Sequence, residues 1–79
     1  MIILQWTEPT PPNEYWHYNH IEAMTPFGKF VIKWKGWKEY PSYDIEETPW
    51  GEWLGSFNTL EDAKVKAEEA WVLKVQACL

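Results

Sequence analysis

Few residues in this chain of 79 residues have types and spacings that could do chemistry. His17 and His20 lie near Glu14 and Glu22, and imidazole and carboxylate groups together are typical ligands of transition metals. In a strand, residues three apart point to opposite faces, so the two histidines should diverge. His20 and Glu22 can share a face, but two ligands do not make a metal site. The sequence therefore predicts no metal site.

Nucleophilic catalysis has no supporting pattern either. The single cysteine, Cys78, lies next to the C-terminus, and neither Ser42 nor Ser56 stands in a nucleophile-elbow context. Gly-rich phosphate loops are absent. Adjacent acids such as Glu46 and Glu47 would point to opposite faces of a strand, so they do not form a catalytic carboxylate pair. We expect a protein that is not an enzyme and that uses no cofactor.

The composition limits the class of protein. A chain of this length allows one domain, and its seven tryptophans, four tyrosines and three phenylalanines can bury large areas with few rotatable bonds. One cysteine allows no intramolecular disulfide, which suits a reducing compartment. No stretch is long or apolar enough for a membrane span, and no basic segment precedes an apolar one as in a signal peptide. We therefore expect a protein of the cytoplasm.

Charge is arranged in blocks along the chain. Twelve acids stand against seven lysines, with no arginine, and the net charge is −5. From Lys29 to Lys38 the charged residues are all lysines, and from Glu39 to Asp62 they are all acids. The basic block consists of Lys29, Lys33, Lys35 and Lys38. A basic block is thus followed directly by a longer acidic one.

The basic block has two interpretations. Lysines interleaved with Trp34 and Trp37 could combine phosphate contacts with base stacking. However, arginine, the residue best suited to bidentate phosphate contacts, is missing, and the whole chain is acidic. The alternation places Trp34 in the core and leaves the lysines on a solvated face that discourages edge pairing. We favour the solvated face, and direct nucleic-acid binding is not expected.

The acidic block also has two interpretations, and both stay open. It can be a solvated face, with Glu61 and Asp62 placed at the N-terminus of a helix. Alternatively, it can be a surface for a basic partner, because the block contains Trp50 and Trp53, and tryptophan is a favoured anchor of protein interfaces. In the second case the partner-binding residues are Asp44, Glu46, Glu47, Glu52, Trp37, Trp50 and Trp53.

The elements that must position these residues are indicated by a hexapeptide used twice. Residues 25–30 and 48–53 both read Thr-Pro-aromatic-Gly-charge-aromatic. Proline at the second position presets φ for a type I turn, and glycine at the fourth can adopt the left-handed conformation of a one-residue bulge. The sequence therefore predicts two hairpins.

Hydrophobic periodicity completes the fold prediction. Strands are expected at about 15–24, 29–35, 42–47 and 52–57, followed by a helix that begins at Asn58–Thr59 and continues close to the C-terminus. The predicted inward stripe of the helix is Leu60, Ala63, Ala67, Ala70 or Trp71, and then Val75 or Cys78. Residues 1–14, with three prolines, form an extended arm. The fold class is α+β, a four-stranded antiparallel meander with one C-terminal helix packed on one face (ββββα), in a single domain of residues 15–79.

Two segments carry a resemblance to a known group of proteins. The turn Thr25-Pro26-Phe27-Gly28 and residues 55–64, which read GSFNTLEDAK, resemble small proteins of tailed phages and prophages. These motifs are structural, so the resemblance assigns no functional residue. Small acidic single-domain proteins of mobile elements are a frequent form of anti-CRISPR and other anti-defence inhibitors, which is what the resemblance implies here.

The expected function combines these observations. We expect a phage-derived inhibitor that binds a host defence complex, with a CRISPR effector as the favoured target because its DNA channels are basic. The acidic residues would mimic the phosphates of DNA and the tryptophans would anchor the contact. The alternative is a small nucleic-acid-binding or phage structural protein that uses the Lys29–Lys38 strand. An arm that covers one sheet edge favours a monomer over a homodimer.

Overall fold

The computed structural model describes residues 4–12, 17–26, 28–48 and 52–77. They form four antiparallel strands in the order β1-β2-β3-β4, followed by one helix, so the predicted ββββα fold is confirmed. The elements are β1 (Asn19–Thr25), β2 (Gly28–Trp34), β3 (Tyr43–Thr48), β4 (Glu52–Phe57) and α1 (Leu60–Ala77). The observed strands begin or end within a few residues of the predicted bounds, and the largest difference is at β1, which starts at Asn19.

Both copies of the hexapeptide connect neighbouring antiparallel strands, as predicted. In the first, Thr25 pairs with Gly28, so only two residues separate the paired positions, and the hydroxyl of Thr25 donates to the carbonyl of Gly28 at 3.2 Å. Gly28 has φ +140°, in the region that favours glycine. The expected one-residue bulge is absent from the β1–β2 pairing, whose register continues without a shift from Gly28 to Trp34. In the second copy, residues 49–51 lie outside the described part.

The bulge occurs instead within the β3–β4 pairing. Ile45 pairs with Gly55 and Glu46 pairs with Trp53, so Leu54 is an extra residue in β4. Gly55 accommodates the irregularity with φ +131°. Because of this shift, Trp53 points away from the core while Leu54 packs against it. A bulge in an edge strand also disturbs the row of backbone groups to which another chain could pair.

The core lies between α1 and one face of the sheet. Ile21, Phe30, Ile32 and Ile45 are the largest fully buried side chains, contributed by three adjacent strands. Ala63 and Ala67 of the helix are completely buried, and Trp71 is 5% exposed. Two alanines on the contact stripe let the helix axis approach the sheet closely, and Trp71 fills the space one turn later. The predicted stripe is correct as far as Val75, and Cys78 lies outside the described residues.

The helix begins directly after Asn58–Thr59, as predicted. Thr59 is the N-cap residue, because its hydroxyl accepts a hydrogen bond from the Asp62 N–H at 3.1 Å and its carbonyl accepts one from the Ala63 N–H. Glu61 and Asp62 lie in the first turn and Lys74 lies in the last. At these positions each charge interacts favourably with the helix dipole.

The described part of the N-terminal arm, residues 4–12, lies along the outer edge of β1. The N–H groups of Thr7 and Thr10 donate to the carbonyls of Glu22 and His20, both at 2.8 Å. The backbone N–H of His20 donates to the carbonyl of Thr10, and the Glu22 N–H donates to the hydroxyl of Thr7 at 3.0 Å. The arm also contributes Leu4 to the core cluster, and its Trp6 forms a bridge with Ala23.

Candidate functional site

The sheet face opposite the helix, called the open face below, is where the two charge blocks meet. Antiparallel pairing of β2 with β3 places Lys33 opposite Asp44 and Val31 opposite Glu46. Lys33 Nζ lies 2.6 Å from a carboxylate oxygen of Glu46, and Lys29 Nζ lies 3.1 Å from Glu22 on the other neighbouring strand. Two of the four lysines in the basic block are therefore ion-paired with acids of adjacent strands. The strand is not an uninterrupted basic surface.

Of the predicted partner-binding acids, Asp44 and Glu46 lie together on the open face. Asp44 accepts a hydrogen bond from the hydroxyl of Ser56, which is opposite it on β4. Glu46 is half-buried between Lys33, its ion-pair partner, and Trp53, its partner in the β3–β4 register. Both carboxylates are held in place by neighbours and remain accessible from the same side of the sheet.

Glu47 is placed on the other side. It pairs with Phe30 in the β2–β3 register, its side chain is only 8% exposed, and its carboxylate is hydrogen-bonded to the Lys74 ammonium of α1. The strand alternation that puts Tyr43 and Ile45 in the core puts Glu47 there as well. Glu47 therefore belongs to the contact between sheet and helix and cannot form one surface with Asp44 and Glu46.

Of the three predicted tryptophans, Trp37 and Trp53 are described, and they lie in different parts of the molecule. Trp53 is 63% exposed on the open face, beside Glu46. Trp37 is 62% exposed in the loop between β2 and β3, at the sheet end where Trp34 and Tyr43 pack at a centroid distance of 5.3 Å. Trp50 and the side chain of Glu52 lie outside the described part.

One cluster at that end of the sheet was missed by the sequence analysis. The ammonium groups of Lys33 and Lys35 lie 5.6 and 5.7 Å from the centroid of the Tyr18 ring. Asn19 pairs with Trp34, so Tyr18 falls opposite Lys35, just beyond the paired strands. The alternation of Tyr18, His20 and Glu22 along one strand indicates that they share a face. Placing Tyr18 beside Lys33 and Lys35 also requires the register between β1 and β2, which the alternation does not provide.

The histidine–glutamate segment is described for His17, His20 and Glu22, while Glu14 lies outside the described residues. His20 Nε2 lies 3.4 Å from a carboxylate oxygen of Glu22, as expected for residues two apart on a strand. His17 is exposed before the start of β1. Across residues 4–12, 17–26, 28–48 and 52–77, no three histidine, cysteine, aspartate or glutamate side chains converge as metal ligands would.

Comparisons with known proteins do not add to this picture. No protein-family model, no curated protein and no solved structure matches the chain. Among the described residues, no helix has both the length and the apolar character needed to cross a bilayer.

Proposed function

We propose that this protein is a non-enzymatic inhibitor of phage origin that acts in the bacterial cytoplasm and docks on a basic surface of a host defence complex. The observation that carries the proposal is Trp53, a large aromatic side chain that is 63% exposed directly opposite Glu46. An exposed tryptophan does not contribute its large apolar surface to the core of this small domain. Tryptophan is also among the residues that dominate the binding energy at protein interfaces. The docking surface comprises Asp44, Glu46 and Trp53.

The charges around Trp53 support a basic partner. Asp44 and Glu46 lie in adjacent rows of the open face, and an arginine or lysine of the partner can replace Lys33 as the counterion of Glu46. Such an exchange keeps the half-buried Glu46 carboxylate paired with a cation, so it avoids the cost of an unpaired charge. The resemblance to small phage proteins directs the proposal to a defence complex. A CRISPR effector is favoured because its DNA channel is basic, and the acidic face would there act as a DNA mimic.

The experiment mixes the chain with purified candidate effector complexes and measures both complex formation and DNA binding by the effector. Trp53→Ala should weaken complex formation at least about tenfold, as expected for an interface anchor. Asp44→Lys combined with Glu46→Lys should restore DNA binding by the effector. The matched controls are Tyr40→Ala, at a side chain that is 86% exposed, and Glu39→Lys with Glu69→Lys, which change the net charge equally at exposed positions.

The controls separate a specific surface from net charge. If the Glu39/Glu69 variant relieves inhibition as much as the Asp44/Glu46 variant, general acidity explains the effect and the docking surface is wrong. If no candidate effector binds the protein, or if binding leaves the effector's DNA affinity unchanged, the proposed inhibitor function is wrong.

A further inference from the structure

Two clefts adjoin at the sheet end that carries the loop between β2 and β3. The larger has a volume of 410 Å³ and is lined by Pro12, His17, Tyr18, Lys35 and Trp37. The smaller, of 230 Å³, shares Tyr18 and Lys35 with it and is completed by Trp34, Lys38, Ser42 and Asp44. Their sizes fall near or within the range of small-molecule sites. Both combine flat aromatic rings with lysine ammonium groups.

The lysines at these clefts differ from those in the middle of the sheet. Lys29 and Lys33 are ion-paired with Glu22 and Glu46. Among the described residues, Lys35 and Lys38 have no carboxylate within ion-pair distance, and Lys35 lies against the ring of Tyr18 instead. Among the described residues that line the larger cleft, none is acidic. This part of an acidic protein therefore keeps positive charge available for an anion.

Trp37 is presented by a short turn. The Lys38 N–H donates to the Lys35 carbonyl at 3.1 Å, so Gly36 and Trp37 occupy the two central positions. Gly36 lies against Asn19, because a Cβ there would come within 2.6 Å of the Asn19 amide oxygen. The turn is thus packed on the start of β1, while the Trp37 side chain is 62% exposed at the mouth of the larger cleft.

We propose that these clefts bind a nucleotide unit, an aromatic base with an attached phosphate, with the base stacked on Trp37 and the phosphate held by Lys35 and Lys38. An exposed indole offers a stacking surface to any base, and neighbouring ammonium groups neutralise the phosphate. Asp44 also lines the smaller cleft, and a carboxylate, which accepts the Ser56 hydroxyl at one oxygen here, can accept a further hydrogen bond from a sugar hydroxyl.

The nucleotide unit can come from a free nucleotide or from a single strand of nucleic acid, and the two share this chemistry. Phosphotyrosine also combines a ring with a phosphate, but its usual binding sites rely on arginine, which this chain lacks. The site shares Asp44 with the docking surface, but its stacking residue does not. Trp53 is opposite Glu46, three residues or about 10 Å along the strands from the row of Trp34 and Tyr43, so Trp37 and Trp53 test the two sites separately. The proposal therefore stands or falls independently of the inhibitor function.

Fluorescence anisotropy with a labelled ten-residue oligothymidine tests the proposal, using the full chain at low salt. Binding should weaken with added salt, with a slope of about −1.4 in the logarithms for two phosphate contacts. Trp37→Ala should lower the affinity roughly tenfold or more through lost stacking. Lys35→Gln with Lys38→Gln should lower it too and flatten the salt dependence. The matched controls are Trp53→Ala, at an exposed tryptophan, and Lys29→Gln, at a lysine paired with Glu22. Neither should change the affinity for the oligomer.

Competition identifies the source of the nucleotide unit. If AMP or thymidine monophosphate displaces the labelled strand as effectively as unlabelled oligothymidine does at the same phosphate concentration, the ligand is a free nucleotide. If only the unlabelled oligomer competes, the ligand is a single strand. Three outcomes would overturn the proposal. They are absence of oligomer and nucleotide binding at low salt, an unchanged affinity of the Trp37→Ala variant with an intact thermal unfolding curve, and equal competition by inorganic polyphosphate or phosphotyrosine.

Discussion

At the scale of single residues, Glu47 shows how one strand position decides whether an acid lies on the open face or against the helix. It belongs to the acidic block by sequence, yet its side chain is 8% exposed and bonded to Lys74 of the helix. A carboxylate withdrawn from water must be paired, because an isolated buried charge is strongly unfavourable. Glu46 and Asp44, one and three residues before it in the strand, point to the open face. The acidic block is therefore divided between the open face and the contact of the sheet with the helix.

The Glu47–Lys74 pair gives a prediction of stability. Lys74→Met should lower the free energy of unfolding by about 1–3 kcal/mol, because it leaves the Glu47 carboxylate without its counterion while the partial exposure of Lys74 limits the loss. Glu47→Leu combined with Lys74→Met should recover most of that loss. Urea denaturation measures all three proteins. Lys66→Met, at an exposed position of the same helix, is the control, and equal effects of Lys66→Met and Lys74→Met would show that the pair is unimportant.

Gly55 gives a second prediction at this scale. Its φ of +131° is strained for any residue with a Cβ, and a Cβ there would also lie 3.3 Å from the Phe57 ring. Gly55→Ala should therefore destabilise the fold by about 1–3 kcal/mol. Gly36→Ala should cost less, since the Cβ would meet only the end of the Asn19 side chain, which can rotate away. Thermal unfolding of the two variants compares them, and a larger loss for Gly36→Ala would contradict this account.

At the scale of elements, local sequence signals were sufficient for the strands and the helix. The alternation of Phe30, Ile32 and Trp34 predicted β2, and the alanine stripe predicted the buried side of α1. Even the burial of Glu47 follows from alternation with Tyr43 and Ile45, although the sequence analysis grouped it by charge instead. What alternation could not provide was register. The Lys33–Glu46 pair depends on the length of the loop between β2 and β3, and the Glu47–Lys74 pair depends on where the helix crosses the sheet.

The helix N-terminus gives a prediction for an element. The sequence predicts that the helix begins at Asn58–Thr59, and the structure shows that Thr59 is the cap. Thr59→Ala should lower the free energy of unfolding by about 1 kcal/mol through loss of the hydrogen bond to the Asp62 N–H. Thr59→Ser should retain most of the stability. Asn58→Ala is the neighbouring control, and urea denaturation in which it costs more than Thr59→Ala would reassign the cap.

At the scale of the whole molecule, the question is how a small sheet avoids pairing with other sheets. The helix covers one face of the sheet through contacts with β2, β3 and β4. The N-terminal arm covers the edge at β1 through backbone hydrogen bonds. Leu4, a residue of the arm, is only 5% exposed, so the arm contributes to the core as well as covering the edge. The opposite edge strand, β4, carries the bulge at Leu54. Both edges thus have features that oppose strand addition.

This arrangement predicts a monomer whose solution state depends on the arm. Light scattering across a tenfold concentration range should give a constant mass of one chain, because the arm covers the edge of β1. The net charge of −5 adds little to this, since screening limits its repulsion to about 8 Å. Thr7→Pro with Thr10→Pro removes the two N–H donors that hold the arm to Glu22 and His20, so the exposed edge of β1 should make the mass rise with concentration. Glu8→Gln, at an exposed arm residue between them, should leave the mass unchanged. A constant mass of two chains for the unaltered protein would overturn the monomer prediction, and a variant that stays monomeric would show that the arm is not what protects this edge.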